Sequence, residues 1–109
     1  MFNFLFGKKT NNKTQFLNPQ DFEAKLKECK GVLVDVRSPQ EFASGHIKNA
    51  INIDFRSPNF AAGFSKYDKD TPLFIYCRSG MRSMLGGKKL AHLGYTEIYD
   101  LKGGYLNWH

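Results

Sequence analysis

At 109 residues, with 41% hydrophobic and 15% aromatic side chains, the chain has material for one domain with a core and is too short for two. No apolar run approaches the roughly 18 residues of a membrane-spanning helix, and two cysteines with three scattered histidines match neither a disulfide scaffold nor a zinc-ligand spacing, so no metal is expected. The net charge of +6 divides into +3 over residues 1–30, zero over 31–76 and +3 over 77–109, a field that gathers small anions and acidic partners at the amino end and after Cys77.

In chain order, Met1-Phe-Asn-Phe-Leu-Phe-Gly is apolar, but Lys8 and Lys9 follow it and Asn3 interrupts it, the reverse of a secretory signal's polarity. Residues 1–14 read as a flexible N-terminal tail and residues 15–109 as the folded domain. The tail's phenylalanines allow passing contact with a membrane surface but no stable insertion. Without an export signal, the expected compartment is the reducing cytoplasm, which suits a free thiol.

Phe16-Leu17 predicts a short strand. Asn18-Pro19-Gln20-Asp21 has the form of a helix start, with Asn18 capping and Pro19 at the first helical position. Phe22, Leu26 and Cys29 recur at helical spacing until Gly31 stops the helix. Cys29 on that face reads as a small hydrophobe, not as a redox partner for Cys77. Residues 31–37 form a nearly continuous apolar run, as in a strand buried on both faces. Ser38-Pro39-Gln40-Glu41 is a capping box opening a short helix that ends at Ser44-Gly45-His46.

Ile51-Asn52-Ile53 predicts another strand, residues 57–66 a helical turn or two with Phe60 and Phe64 one turn apart, and residues 68–72 a surface loop. Leu73-Phe74-Ile75-Tyr76 is a second buried strand running straight into Cys77. Met84, Leu85, Leu90 and Leu93 mark the apolar positions of the next helix, closed by Gly94. Ile98-Tyr99-Asp100-Leu101 is the last strand, before Gly103-Gly104 and an aromatic turn ending at Trp108. Trp108 and the phenylalanines are expected in the core. Strands alternating with helices imply parallel strands joined by crossovers, hence an α/β fold of about five strands.

In such sheets ligands bind beyond the carboxyl ends of strands, beside helix N-termini, and Cys77 holds that address. The amides of residues 78–83 lack intrahelical partners there, Gly80 lets the loop curl, and Arg78 and Arg82 add two positive charges. This combination holds an anion. It favours thiolate over thiol at Cys77 and makes the side chain a candidate nucleophile, provided that solvent reaches it. The bland alternative is an inert thiol at a strand end, against which stand two arginines and a glycine within five residues. Only four residues separate Cys77 from Arg82, a tight ring for a tetrahedral phosphate. No acid follows the loop to protonate a leaving alcohol. Sulfur chemistry through a persulfide is therefore preferred to a cysteine phosphatase.

At these residues the sequence resembles the rhodanese-like sulfurtransferase family, in its small single-domain members, over about residues 14–108. Carrying the resemblance are Val34-Asp35-Val36-Arg37, Glu41-Phe42-Ala43-Ser44-Gly45-His46-Ile47, Ala50-Ile51-Asn52-Ile53, the loop Tyr76-Cys77-Arg78-Ser79-Gly80-Met81-Arg82-Ser83, and Gly103-Gly104-Tyr105-Leu106-Asn107-Trp108. It implies a five-stranded parallel sheet flanked by helices on both faces, and no cofactor. It also implies ping-pong transfer: Cys77 takes a sulfane sulfur from a donor such as thiosulfate, and the persulfide yields it to cyanide or a thiol. Many relatives continue a few residues past Trp108. Met81 stands at a position that varies in the family, where it tunes which acceptor fits.

Within this reading Arg82 holds the loop and screens the persulfide charge, and Arg78 points outward to recruit anionic donors. Ser79, Gly80, Met81 and Ser83 contribute mainly amides. Asp35 and Arg37 form an internal ion pair bracing the site, Glu41 is explained by capping alone, and His46 is a turn residue before it is a general base. A sulfur-relay or persulfide-carrier module serving a partner protein is the alternative. A non-enzymatic docking module fits poorly with a retained cysteine. Nucleic acid is not an expected partner, because the basic segments lack interleaved aromatics.

Overall fold

A computed structural model describes residues 14–108. Five strands form one parallel sheet: β1 Gln15–Leu17, β2 Val32–Asp35, β3 Ile51–Asn52, β4 Leu73–Tyr76 and β5 Ile98–Leu101, side by side in the order β1-β5-β4-β2-β3. Between them run α1 Pro19–Glu28, α2 Pro39–Ala43, α3 Phe60–Gly63 and α4 Met81–His92, and a 3-10 turn Tyr105–Asn107 ends the described chain. The expected tail over residues 1–14, with its apolar start, lies outside the described residues except for Thr14. No helix among the described residues is long and apolar enough to cross a membrane.

Local chemistry sets the helix starts. The Asp21 amide donates to the Asn18 side chain at 2.8 Å, with Pro19 at the first helical position. The capping box at α2 is complete: the Glu41 amide donates to Ser38 Oγ at 3.2 Å, and the Ser38 amide donates to Glu41 Oε1 at 3.0 Å. Caps of this kind contribute about 1 kcal/mol each.

Because side chains alternate across a strand, the sheet separates two apolar layers, and helices cover both faces. Val34, Val36, Ile75 and Cys77 pack with Phe60, Phe64 and Leu90 on the α3/α4 side. Leu33, Phe74, Tyr76 and Tyr99 pack with Phe22 and Phe42 on the α1/α2 side. Strands β4 and β5 are buried along their whole length, and each large apolar side chain removed from water there contributes about 1.5–3 kcal/mol.

One expectation about the core is corrected, and the buried face of α4 differs from its apolar pattern. Phe16 is 51% exposed on the edge strand, where no helix covers it. In α4 the buried positions are Ser83, Gly86, Gly87 and Leu90, while Leu85 and Leu93 face solvent. The cause is close approach: a Cβ on Gly86 would stand 3.2 Å from the Phe60 ring and 3.4 Å from that of Phe55. Gly86 leaves room for these rings, and Gly87 lets α4 approach Ile75 of β4, 3.4 Å from where its Cβ would stand.

Candidate active site

Strands β2 and β4 are neighbours, with Asp35 opposite Tyr76. The chain leaving β2 passes through α2 to β3 on one side, and the chain leaving β4 passes through α4 to β5 on the other. The connections therefore part at this point and open a crevice at the carboxyl ends, the usual ligand position in such sheets. Residues 77–80 occupy it.

The loop is held from below by the C-terminal turn. The Tyr105 amide donates to the Cys77 carbonyl at 2.8 Å and the Leu106 amide to the Arg78 carbonyl at 3.0 Å. Only glycine serves at position 104, since its φ is +66° and a Cβ there would lie 2.5 Å from the Arg78 carbonyl oxygen. At the top, Gly80 adopts φ +123° and turns its N–H inward onto Cys77 Sγ at 3.1 Å. Arg78 and Ser79 are exposed, and Met81, at the start of α4, is 64% exposed.

Cys77 itself is 1% exposed. The requirement that solvent reach the nucleophile is therefore not met in this conformation, in which Cys77 belongs to the buried layer of Val34, Val36, Phe60 and Phe64. Beyond its chain neighbours, no atom lies within 4 Å of the place where a Gly80 Cβ would stand.

Arg82, expected to hold the loop and screen the persulfide charge, is paired with a carboxylate. Its guanidinium donates to Glu41 Oε1 at 2.7 Å and Oε2 at 3.0 Å. The pairing with Arg82 holds the Glu41 carboxyl down at about 2, although partial burial opposes it. Glu41 thus does more than cap α2, which corrects the reading of capping alone. The spacing from Ser38 that identifies the cap concealed the second partner.

Asp35 and Arg37 form a buried pair, with Nη2 2.6 Å from Oδ2 and Nε donating to both carboxylate oxygens. Arg37 also donates to the Gly45 carbonyl at 2.6 Å and lies 4.5 Å over the Tyr105 ring. These side chains alternate with Val34 and Val36, which share the Cys77 layer, so the pair sits on the opposite face of the sheet from the sulfur. It braces the turn that holds the Cys77 carbonyl. His46 is likewise remote, stacked on Phe42 at 3.6 Å with Nδ1 2.8 Å from the Phe42 carbonyl oxygen. Cys29 packs in the α1/α2 layer, across the sheet from Cys77, and both thiols are free.

Asp100 escaped the sequence reading. The Cys77 thiol donates to Ser83 Oγ at 3.5 Å, and Ser83 Oγ donates to Asp100 Oδ1 at 2.8 Å. Asp100 is 1% exposed, and its Oδ2 has no hydrogen-bond partner. Burial pushes its carboxyl up to about 7, against the lowering effect of the Ser83 bond. The signal was an acid inside an apolar strand, a costly placement without a partner. Among the described residues, no group of three or more His, Cys, Asp or Glu side chains is placed to hold a metal ion.

The family model described as Rhodanese-like domain matches residues 18–109. Among curated relatives, YqhL of Bacillus subtilis, an uncharacterized protein, is 38% identical over 92 residues, covering 84% of this chain and 70% of that one. The tRNA uridine(34) hydroxylase of Chlamydia abortus is 33% identical over 102 residues, 88% of this chain, but the chain spans only 31% of that protein's length. Among solved structures, the human single-domain sulfurtransferase TSTD1 aligns with a TM-score of 0.72 at 27% identity, over 87% of this chain and 95% of that one.

Proposed function

Since the chain belongs to the rhodanese-like domain family, we propose that it is a sulfurtransferase that carries sulfur on Cys77. The thiolate attacks the sulfane sulfur of a small anionic donor such as thiosulfate. A bond forms to Sγ, the donor's own S–S bond breaks, and sulfite leaves with the electron pair. A thiol or cyanide then attacks the outer sulfur of the persulfide, and Cys77 leaves as thiolate for the next cycle. The scheme requires no cofactor. In a cell the acceptor thiol can belong to a relay protein, and a reducing compartment such as the cytoplasm keeps Cys77 free.

The observation that carries this reading is the Gly80 N–H held 3.1 Å from Sγ in the crevice where α4 begins. The first-turn amides of α4, at Met81, Arg82 and Ser83, have no intrahelical acceptors and suit the outer sulfur of a persulfide, about 2 Å beyond Sγ. Arg78, being exposed, recruits the anionic donor, Ser79 and Met81 shape the mouth, and Arg82 fixes the loop through Glu41. Because Cys77 is buried, the donor reaches Sγ only when the loop opens. Asp35 and Arg37 support the loop from behind the sheet.

Incubation with thiosulfate tests the reading. Intact mass should gain one sulfur atom, lost again on adding a thiol, and Cys77→Ser should gain none while remaining folded. No uptake from several sulfane donors overturns it. Hydrolysis of aryl phosphates in place of uptake would make the loop a phosphatase cradle.

A further inference from the structure

Cys77, Ser83 and Asp100 form a continuous hydrogen-bonded line, 3.5 Å from sulfur to hydroxyl and 2.8 Å from hydroxyl to carboxylate, closed off from solvent at its Asp100 end. We propose that Asp100 is the internal proton acceptor for Cys77, acting through Ser83. The proposal rests on the reading of Cys77 as the nucleophile and supplies the step that makes it one.

A serine hydroxyl has one hydrogen and can accept two bonds; Asp100 Oδ1 at 2.8 Å is a nearer acceptor for that hydrogen than the Gly80 carbonyl at 3.2 Å, so the line has two bonded arrangements. In the first, the thiol donates to Ser83 and Ser83 donates to the Asp100 carboxylate. In the second, Asp100 is the acid and donates to Ser83, which donates to the thiolate. Passing from the first to the second moves the thiol proton to Ser83 Oγ and the Ser83 proton to Asp100. No proton is exchanged with solvent, and the site carries a single negative charge throughout.

The surroundings favour moving that charge onto sulfur. As a carboxylate, Asp100 has one donor, Ser83, and an Oδ2 without a partner, a state that buried anions avoid. On sulfur the same charge meets the Gly80 N–H as well as the Ser83 hydroxyl.

The neighbours of Asp100 offer little else. In register beside it stand Phe16 on β1 and Ile75 on β4, neither of which titrates. On α4, Arg82 precedes Ser83, but its guanidinium is held by Glu41. Lys102, two residues beyond Asp100, is exposed. Cys77 is the titratable group at the other end of the line, and the elevation of the Asp100 carboxyl to about 7 matches it to neutral solution. Asp100 does not touch the sulfur, so its contribution is to set the protonation and the hydroxyl direction of the groups that do.

Titration without any sulfur donor tests this independently of sulfur transfer. The probes are ultraviolet thiolate absorbance for Cys77 and the carboxyl carbon resonance of Asp100. In the wild-type chain both signals should change in the same two steps, separated by about one pH unit or more. Asp100→Asn should leave a single thiolate step. Ser83→Ala should separate the two groups into independent titrations, and Ser83→Thr, which keeps the hydroxyl, should restore the shared steps. A thiolate profile in Asp100→Asn that superimposes on the wild type overturns the proposal. Should that variant fail to fold, Cys77→Ser decides: the Asp100 resonance collapsing to one step supports the coupling, and an unaltered two-step profile overturns it.

Discussion

The Arg82 guanidinium grips the Glu41 carboxylate through bonds of 2.7 and 3.0 Å, tying the first turn of α4 to α2 across 41 positions of sequence. It spans the crevice where the two connections diverge. Both side chains are largely covered, at 15% and 28% exposure, so the pair is worth more than a typical surface ion pair.

Acid should reveal this clamp. The Glu41 carboxyl is lowered from 4.5 to about 2, first by the Arg82 bonds. A depressed carboxyl stabilises the fold fully above its unfolded value, and that stability is lost as pH falls from about 5 towards 2. Glu41→Gln should lower stability by about 1–2 kcal/mol at neutral pH and flatten the decline in this window. Denaturant titrations at pH 7 and in the acid window measure both. An equally steep acid decline in the variant would exclude Glu41 as its source.

Gly80 separates strain from crowding. A methyl group there meets no atom within 4 Å beyond its chain neighbours, yet φ is +123°, so Gly80→Ala costs about 1–2 kcal/mol through backbone conformation. The loop should relax and withdraw its N–H from Cys77 Sγ. Because a hydrogen bond to a charged group contributes about 1.5–3 kcal/mol, persulfide formation should slow at least about tenfold in rapid-mixing experiments. Unchanged kinetics would show that the Gly80 amide does not stabilise the reacting sulfur.

Removing Asp35 strands Arg37, which is 3% exposed. Breaking a buried pair in this way costs about 3–5 kcal/mol, so Asp35→Ala should be the most destabilising of these substitutions in chemical denaturation. A loss below about 1 kcal/mol would mean that the Gly45 carbonyl and the Tyr105 ring alone suffice to hold the guanidinium.

Cys29 packs on the far side of the sheet from Cys77. Cys29→Ser should therefore load sulfur from thiosulfate as the wild type does, with the added mass mapped by peptide analysis to Cys77. Loss of loading in this variant would make Cys29 a second participant.

The sequence by itself determined the α/β class, the helix caps at Asn18 and Ser38, the buried strands ending at Asp35 and Tyr76, and the loop beginning at Cys77. These are written in neighbouring residues: apolar runs, a proline one place after a cap, a glycine inside a turn. Tertiary structure alone decided that Glu41 meets Arg82, that Asp100 reaches Cys77 through Ser83, that Gly86 and Gly87 form the inner face of α4, and that Cys77 is buried with Val34, Val36, Phe60 and Phe64. Each of these joins segments far apart in the chain. Periodicity reports which face of an element is apolar, whereas the partner of a buried charge is fixed only when sheet order and helix approach bring the two side chains together.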